Sequence, residues 1–268
     1  MLDALVVVPK ATLRLEGIDT RSVAGFDLVK ADAEAYVAER SERIDLLQQR
    51  LYAEGRRSLL LVLQGMDASG KDGVIRKVLR GITPAAFQVS SFKVPTSSEL
   101  ARDYLWRVHA LVPRRGNIGI FNRSHYEDVV AAHVRGPITR SRARQRYRQI
   151  NDFERMLVEE GTTIVKCYLH ISADEQRARL QARLDDPEKR WKFRVGDLDD
   201  RARWPEFINA YERALAATST ARAPWYVVPA DRKWLRDAVV AEIVVRALEA
   251  MDPRLPPDDP AVAGLVVP

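Results

Sequence analysis

Short apolar segments alternate along this chain with longer segments in which the apolar residues have helical spacing. The first apolar segment, 59–63, consists of five aliphatic residues shortly before a glycine, which is typical of a strand buried on both faces. Further strands are predicted at 87–92, 117–121, 162–171 and 225–228. Because strands that alternate with helices pair in parallel, the pattern predicts an α/β fold with a five-stranded parallel sheet flanked by helices.

The helices are predicted from the spacing of apolar residues and from residues that begin or end helices. Thr96 with Glu99, and Ser172 with Glu175, have the spacing of capping boxes, in which two side chains satisfy backbone N–H groups at a helix start. The predicted helices span 31–54, 72–81, 96–113, 139–160, 172–184, 206–217 and 233–248.

The elements predict one domain with two extensions. Residues 1–30 lack a sustained period and are expected to form an irregular arm, and the proline-rich residues 251–268 a tail. Residues 31–250 then form a single domain, which is ordinary for a chain of 268 residues. The charged segment 185–203 contains a proline and a glycine and is predicted to be a mobile loop.

The first strand leads into the pattern Gly65-x-x-x-x-Gly70-Lys71. The two glycines allow a tight turn whose N–H groups point inward, Lys71 supplies a positive charge, and the following helix presents its N-terminus. Between a buried strand and a helix, this pattern predicts a phosphate-binding loop. The expected phosphate-binding residues of the loop are Ala68, Ser69, Gly70, Lys71 and Asp72.

Two carboxylates belong to this loop, Asp67 within it and Asp72 directly after the lysine, where such loops usually have Ser or Thr. A carboxylate beside phosphates is favourable where magnesium lies between them, since this ion binds one or two carboxylates plus phosphate oxygens. Asp67 is therefore predicted to bind metal. Asp72 fits a metal ligand and a helix-capping residue equally well.

Polar residues follow the second and third strands, at the edge of the sheet where ligands bind in such folds. Lys93 comes after the second strand, and Asn122 and Arg123 come after the third. A guanidinium such as that of Arg123 can bridge transferring phosphates through paired hydrogen bonds. Because Asn122 adds no charge, Glu127 and Asp128 are candidate metal ligands, with an ordinary helix start as the alternative.

A basic helix and loop follow the fourth strand, and we expect them to form a lid over phosphates at about 177–204. The alternative is a solvated helix with local ion pairs. A second basic run, 140–148, has arginine at every other position, so its side chains splay to both sides of a helix and a solvated surface is favoured over an anion track. The expected phosphate-binding residues of the lid are Arg177, Arg183, Lys189 and Lys192.

Composition and charge narrow the possible classes of partner and location but do not assign a function. The net charge of +6 favours an anionic partner without choosing between nucleic acid, nucleotides and phosphate chains. The single cysteine, Cys167, excludes an internal disulfide and is expected to be buried, and Trp106 is expected to lie in the core. Neither a signal peptide nor a membrane span is predicted, so we expect a cytoplasmic protein without a membrane partner.

Five motifs in combination resemble the polyphosphate kinase 2 family, and the resemblance covers about residues 30–250. They are Gly65-Met66-Asp67-Ala68-Ser69-Gly70-Lys71-Asp72-Gly73, Ser91-Phe92-Lys93-x-Pro95, Leu105-Trp106-Arg107-x-His109, Phe121-Asn122-Arg123-Ser124-x-Tyr126-Glu127-Asp128-Val129, and Trp191-Lys192-Phe193 with Gly196-Asp197-Leu198.

The resemblance implies a thymidylate-kinase-like P-loop kinase fold with a helical lid. It implies reversible transfer of the terminal phosphate of inorganic polyphosphate to a nucleotide, with Mg²⁺ as cofactor and Mn²⁺ as the alternative. The motif at Asn122 and the aspartate at Asp72 resemble the class III branch, which implies AMP and ADP as acceptors. Adenine nucleotides, with guanine as the alternative, and a homodimer or homotetramer are also implied.

Residue roles follow from the same resemblance together with the loop pattern. The catalytic residues are expected to be Asp67, Lys71 and Arg123. The nucleotide-binding residues are expected to be Lys93, Arg107, Asn122, Arg123, Tyr126, Glu127 and Asp128. The metal ligands are expected to be Asp67, Asp72, Glu127 and Asp128.

Two other functions fit parts of the sequence. A nucleoside monophosphate kinase that uses ATP as donor would share the phosphate-binding loop. A nucleic-acid-binding P-loop protein would fit the positive charge, but the arginine run 140–148 contains only Tyr147 for stacking against bases, so we expect no nucleic-acid partner.

Overall fold

The structure is a computed structural model that describes residues 2–262 and 264–266. Five parallel strands form one sheet in the order β2-β3-β1-β4-β5, so the predicted five-stranded parallel sheet is confirmed. The strands are β1 (Ser58–Gln64), β2 (Phe87–Ser91), β3 (Ile118–Asn122), β4 (Thr162–His170) and β5 (Trp225–Pro229).

Helices cover both faces of this sheet. In the described residues they are α1 (Ala33–Glu54), α2 (Lys71–Val78), α3 (Ser97–Leu100), α4 (Trp106–His109), α5 (Ala131–Val134), α6 (Arg140–Glu159), α7 (Ala173–Asp185), α8 (Gly196–Ala202), α9 (Trp204–Thr218) and α10 (Lys233–Met251). The predicted helices at 31–54, 139–160, 172–184, 206–217 and 233–248 correspond to α1, α6, α7, α9 and α10.

All seven residues of β1 are buried, because β1 is the central strand and contributes to both hydrophobic cores. Leu61 packs in the core with residues of α1, α2 and α10, and Val62 packs in the core with residues of α6 and α9. Successive side chains of a strand point to opposite faces, so an unbroken aliphatic run is what a strand covered on both faces requires.

The helix predicted at 96–113 is wrong; the chain there forms the separate single turns α3 and α4. The capping box of Thr96 and Glu99 is present at the start of α3. Beyond it, the Asp103 carboxylate accepts a hydrogen bond from the N–H of Leu105 at 2.9 Å, a local bond that competes with helix continuation. Trp106 lies on the surface under the guanidinium of Arg102, so its predicted core position is also wrong.

Only half of the capping box predicted at Ser172 and Glu175 is present. Ser172 Oγ accepts from the N–H of Glu175 at 3.1 Å, but the Glu175 carboxylate pairs with Arg179. The Ser172 N–H donates instead to Asp231 at 2.8 Å. The segment 185–203 was predicted to be a mobile loop, but it contains the short turn Arg190–Lys192 and the helix α8. Asp200 of α8 is buried and forms an ion pair with Arg135 at 2.5 Å.

The part of the arm that the structure describes, 2–30, is irregular and packed against the domain. It contains two short 3₁₀ turns and pairs with β5 through one bridge between Val6 and Tyr226. Cys167 is fully buried, as predicted, and burial raises the pKa of its thiol. Of the helices in the described residues, none combines the length and apolarity that crossing a membrane requires.

Candidate active site

A cleft of about 2120 Å³ opens where the strands β1, β2, β3 and β5 end. Its lining comes from the loop between β1 and α2, the end of α2, the residues after β2 and β3, α3 and α4, α5 with the following segment, α6, the stretch from α7 to α8, the start of α10, and the N-terminal arm. The carboxyl edge of a parallel sheet is where ligands bind in open α/β folds, and the phosphate-binding loop, Lys93 and the residues Asn122 and Arg123 line one cleft there, as predicted.

The phosphate-binding loop has the backbone geometry that its glycines allow. Gly65 has φ 147°, and a β-carbon there would lie 2.8 Å from the Leu169 carbonyl oxygen. Ala68 has φ 64° although it is not a glycine, so the loop holds a strained residue at its centre. The side chain of Ser69 is fully buried, whereas Ala68, Gly70 and Lys71 line the cleft.

Lys71 begins α2 and is folded back over the loop. Its Nζ donates to the carbonyl oxygens of Gly65 at 2.7 Å and Met66 at 3.3 Å. Burial lowers the pKa of Lys71 to about 8, and the guanidinium of Arg123 adds to this effect. An anionic phosphate bound beside Nζ would favour its charged form, since opposite charges stabilise each other most strongly where water is excluded.

Two buried arginines donate hydrogen bonds to carbonyl oxygens of this loop. Arg179, on α7, donates to the carbonyl oxygens of Ala68 at 3.0 Å and Ser69 at 3.1 Å, and its other Nη donates to the carbonyls that follow β5. Arg236, on α10, donates to the Ser69 carbonyl at 3.2 Å and is paired with Asp237. These hydrogen bonds fix the carbonyl oxygens of the loop, and both arginines also line the cleft.

Arg123 and Asp67 form an ion pair across the cleft, between the end of β3 and the phosphate-binding loop. Arg123 has φ 62° and its N–H donates to the Leu63 carbonyl at 3.0 Å, which turns the chain sharply after β3. Burial opposes the charge of Arg123, but the carboxylates of Asp67 and Glu127 raise its pKa above the usual value. Arg123 therefore stays charged at the centre of the site.

The residues after β2 and β3 supply further polar groups. Asn122 Nδ2 donates to the Asp72 carboxylate at 2.5 Å, so Asp72 points into the cleft toward β3 and does not cap α2. Burial raises the pKa of the Glu127 carboxyl, whereas Arg123 and Lys71 oppose this shift. Arg107 is buried and donates to Asp128 at 3.1 Å and to the carbonyl oxygen of Lys93 at 2.9 Å. Lys93, Arg107, Glu127 and Asp128 all line the cleft.

The predicted metal ligands do not form a closed cage. Across residues 2–262 and 264–266, no group of three or more acidic, His or Cys side chains is close enough to hold a metal ion. Asp67 and Asp128 are each paired with an arginine, and Asp72 is exposed to the cleft. This donor set fits magnesium held by one or two carboxylates together with phosphate oxygens and water, which is the usual arrangement for this ion.

The lid residues differ in position. Arg183, Lys189 and Lys192 line the cleft, and Lys189 is paired with Asp186. Arg177 is exposed and does not line the cleft, so its predicted phosphate contact is not supported by its position. On α7 the cleft side is occupied by Arg179 and Arg183, which are four residues apart and therefore share a face.

Tyr126, predicted to bind nucleotide, lies away from the cleft. Its side chain is buried against Trp225, with a ring separation of 4.8 Å, and its hydroxyl donates to Glu154 at 2.8 Å. The reason is the 3₁₀ turn His125–Asp128, capped by Ser124, which directs Tyr126 into the core while Glu127 and Asp128 face the cleft.

Sequence reasoning gave Arg135 and Arg236 no role at this site, and it favoured a solvated surface for the arginine run that contains Arg146. Arg135, paired with Asp200, and Arg146, which donates to the Asp128 carbonyl at 2.7 Å, both line the cleft. Arg179 and Arg236 clamp the loop as described above. A usable signal existed for Arg236, because Arg236-Asp237 interrupts an otherwise apolar stretch of α10 and a buried charge pair in a helix usually has a specific partner.

The site and the fold define a class. A phosphate-binding loop after the central strand, an arginine after β3 and a basic helical segment along the same cleft are the features of a P-loop kinase, which transfers phosphoryl groups by positioning and charge neutralisation. The family model of polyphosphate kinase 2 (PPK2) matches residues 27–256. The chain belongs to the polyphosphate kinase 2 family, and it is an enzyme of that type.

The chain is similar in sequence to individual relatives over most of its length. It is 50% identical over 261 residues to the AMP/ADP-polyphosphate phosphotransferase of Meiothermus ruber, covering 97% of this chain and 98% of that one. It is 46% identical over 232 residues to the ADP-polyphosphate phosphotransferase of Rhodopseudomonas palustris, covering 82% and 80%. The crystal structure of polyphosphate kinase 2 from Arthrobacter aurescens TC1 superimposes with a TM-score of 0.92 at 43% identity, covering 96% and 92%.

Proposed function

We propose that this enzyme transfers the terminal phosphate of inorganic polyphosphate to both AMP and ADP, giving ADP and ATP. The Meiothermus ruber relative is named for both acceptors, AMP and ADP, and the Rhodopseudomonas palustris relative is named for ADP. The observation that carries the proposal is the convergence of Lys71, Arg123 and Asp67 in a single cleft large enough for two anionic substrates.

This phosphoryl transfer requires little covalent chemistry from the protein. Lys71 and the loop N–H groups bind the phosphate being transferred, and Arg123 neutralises charge that develops on its oxygens. The acceptor is a phosphate oxygen that is already ionised, so no general base is needed. One phosphoanhydride bond breaks as another forms, and the reaction therefore runs in both directions.

Mg²⁺ is the proposed cofactor, with Mn²⁺ as the alternative, and it would neutralise phosphate charge and hold the reacting oxygens in place. Asp67, Asp72 and Glu127 are the proposed ligands. Asp128 is proposed to act through Arg107, because its ion pair with Arg107 fixes the segment that follows β2. Phosphate oxygens of the substrates would complete the coordination of the ion.

The proposal is tested by offering AMP and ADP separately to the purified enzyme with magnesium and polyphosphate as the sole donor. ADP from AMP and ATP from ADP are the expected products. Activity with ADP alone would support polyphosphate as the donor and contradict AMP as an acceptor. Transfer from ATP to AMP without any transfer from polyphosphate would contradict the proposal and favour a nucleoside monophosphate kinase.

Finer points rest on the family resemblance and on composition. We expect adenine nucleotides to be preferred over guanine nucleotides, a homodimer or homotetramer, a cytoplasmic location, and no nucleic-acid partner. Parallel assays with GDP and GMP, and sedimentation of the purified enzyme, test the first two. Retention of nucleic acid by a Lys71→Ala variant that has lost kinase activity would reveal a separate binding function.

A further inference from the structure

The last residue of β1, Gln64, carries a fully buried amide directly before Gly65 of the phosphate-binding loop. One end of this amide lies 3.0 Å from the backbone nitrogen of Ser124 and 3.1 Å from its hydroxyl oxygen. The other end lies 3.2 Å from Oε1 of Glu127. A buried amide needs partners for its donor and for its acceptor, so these neighbours decide which end is which.

The orientation of the amide follows from groups that only donate or only accept. The backbone N–H of Ser124 is a donor, so the amide oxygen of Gln64 faces it and also accepts from the Ser124 hydroxyl. A carboxylate is an acceptor, so the NH₂ group of Gln64 faces Glu127 and donates to it. The hydroxyl of Tyr211 lies 3.3 Å from the same end of the amide. Gln64 therefore connects the end of β1 with the segment that follows β3.

The backbone of Glu127 is held from both sides. Glu127 belongs to the turn His125–Asp128. The preceding residue, Tyr126, donates through its hydroxyl to a buried carboxylate at 2.8 Å. The following residue, Asp128, accepts from Arg107 at 3.1 Å. With the backbone fixed, the rotation of the Glu127 side chain decides where its carboxylate lies.

The Glu127 carboxylate depends on Gln64 for its direct contact with protein. In the part of the chain that the structure describes, Glu127 forms no ion pair, and Gln64 is the only side chain that donates a hydrogen bond to it. The second carboxylate oxygen has no such partner among those residues. Because Glu127 lines the cleft, that oxygen is available to a ligand.

We propose that Gln64 is a positioning residue: its amide holds one oxygen of Glu127 so that the other faces the cleft, where it is available to the metal ion. This inference rests on the proposed function, in which Glu127 is a magnesium ligand. Carboxylates that bind metal ions are commonly oriented by hydrogen bonds from neighbouring residues, and loss of such a partner weakens metal binding by about 10–100-fold. Since Gln64 and Gly65 are consecutive, the end of one strand fixes both the carboxylate and the phosphate-binding loop.

The test uses Gln64→Met, which keeps the length of the side chain and removes both of its hydrogen-bonding groups. Binding of Mn²⁺ in the presence of ADP is measured from the loss of the free-ion signal in electron paramagnetic resonance, so the result does not depend on phosphoryl transfer. Urea denaturation of each variant is measured in parallel.

The matched control is Ser58→Ala. Ser58 is a buried residue at the opposite end of β1, where its hydroxyl is hydrogen-bonded to that of Thr162 at 3.0 Å. It does not line the cleft. Both variants thus lose a buried hydrogen bond of the same strand, but only Gln64→Met loses one that reaches Glu127.

The Kd of Mn²⁺ is expected to rise at least about tenfold in Gln64→Met. With saturating metal, the KM for polyphosphate should change by less than about twofold, because the groups that contact the phosphates are unaltered. Ser58→Ala should unfold at a lower urea concentration than the wild type and bind Mn²⁺ as the wild type does.

Because Gln64 is proposed to act through Glu127, the effects of substituting the two residues should not add. In a Glu127→Gln background, Gln64→Met should change the Kd of Mn²⁺ by less than about twofold. If Gln64→Met does not fold, Gln64→Asn provides the same comparison, since its amide is one methylene shorter and does not reach Glu127.

Three results would overturn the inference: wild-type Mn²⁺ affinity in the Gln64 variant, an equal loss of affinity in Ser58→Ala, or the full effect of Gln64→Met in the Glu127→Gln background. A wild type that binds Mn²⁺ but forms no ATP from polyphosphate would instead overturn the proposed function. The two failures are therefore distinguishable.

Discussion

A β-carbon on Gly70 would lie 1.8 Å from Nη1 of Arg236. This guanidinium cannot move aside easily, because it is buried, paired with Asp237 and bonded to the carbonyl oxygen of Ser69. Gly70 also has φ 102°, in the region that favours glycine. The second glycine of the phosphate-binding loop is thus required both by its backbone conformation and by the arginine packed against it.

Gly70→Ala is therefore expected to displace the loop and to lower kcat/KM for polyphosphate by about a hundredfold or more, since a shift of about 1 Å at a reacting group has costs of this size. The matched control is Gly81→Ala. Gly81 has φ 88° but no atom within 4 Å of the added carbon. The Gly81→Ala variant should have a free energy of unfolding lower by about 1 kcal/mol and unchanged activity. Equal activity of the two variants would contradict this explanation.

Arg179 is expected to stabilise the fold through its four carbonyl contacts. Arg179→Leu leaves those buried acceptors without their donor and should lower the free energy of unfolding by about 2–4 kcal/mol. Urea denaturation measures this change. Arg177→Leu, on the exposed side of the same helix, is the control and should stay within about 0.5 kcal/mol of the wild type. Similar unfolding midpoints for both variants would show that the hydrogen bonds of Arg179 contribute nothing to stability.

His170 makes stability depend on pH. Its Nε2 faces two carbonyl oxygens and so carries the proton, while Nδ1 is buried without a partner. Burial lowers the pKa of His170 below its ordinary value of 6.5. Between these two values the unfolded chain binds more protons, so the free energy of unfolding should fall as the pH falls below about 6.5 and level off below the folded pKa.

Denaturant unfolding of His170→Gln from about pH 7 to about pH 5 measures that contribution. The variant should lose less stability over this range than the wild type. His109→Gln, at an exposed position on α4, is the control and should follow the wild-type curve. If His170→Gln also follows the wild-type curve, His170 is not the titrating group.

Asp67 is predicted to interact with both Mg²⁺ and Arg123. Asp67→Asn removes the carboxylate that faces Arg123, and we expect the Mg²⁺ concentration for half-maximal activity to rise at least about tenfold. Titration of Mg²⁺ after treatment with a chelator measures this. Asp258→Asn, in the exposed tail, is the control. An unchanged Mg²⁺ requirement in Asp67→Asn would exclude Asp67 as a ligand.

Much of the fold was predictable because its signals are local. The aliphatic run of β1 and the glycines of the phosphate-binding loop each appear within a few consecutive residues. In the failed helix at 96–113 the competing signal is also local: the Asp103 carboxylate accepts from the N–H of Leu105, which a continuous helix would have used. Periodicity alone does not reveal such competition.

The site was predicted in part, and what was missed depends on long-range packing. Arg123 was found because it directly follows a strand whose end faces the cleft. Arg236 lies 166 positions beyond Gly70 in the numbering, and only the packing of α10 on α2 brings the two together. Tyr126 was misplaced because the 3₁₀ turn after Ser124 sends successive side chains in different directions, a detail that the motif does not encode.

The most direct test of the central claim is ATP formation from ADP with polyphosphate as the only donor, in the wild type and in Lys71→Ala. Wild-type enzyme should form ATP in proportion to the phosphate lost from the chain. Lys71→Ala should fold normally and lose activity by orders of magnitude, because the charge beside the transferred phosphate is gone. No ATP from the wild type, or equal rates in the two proteins, would contradict the account.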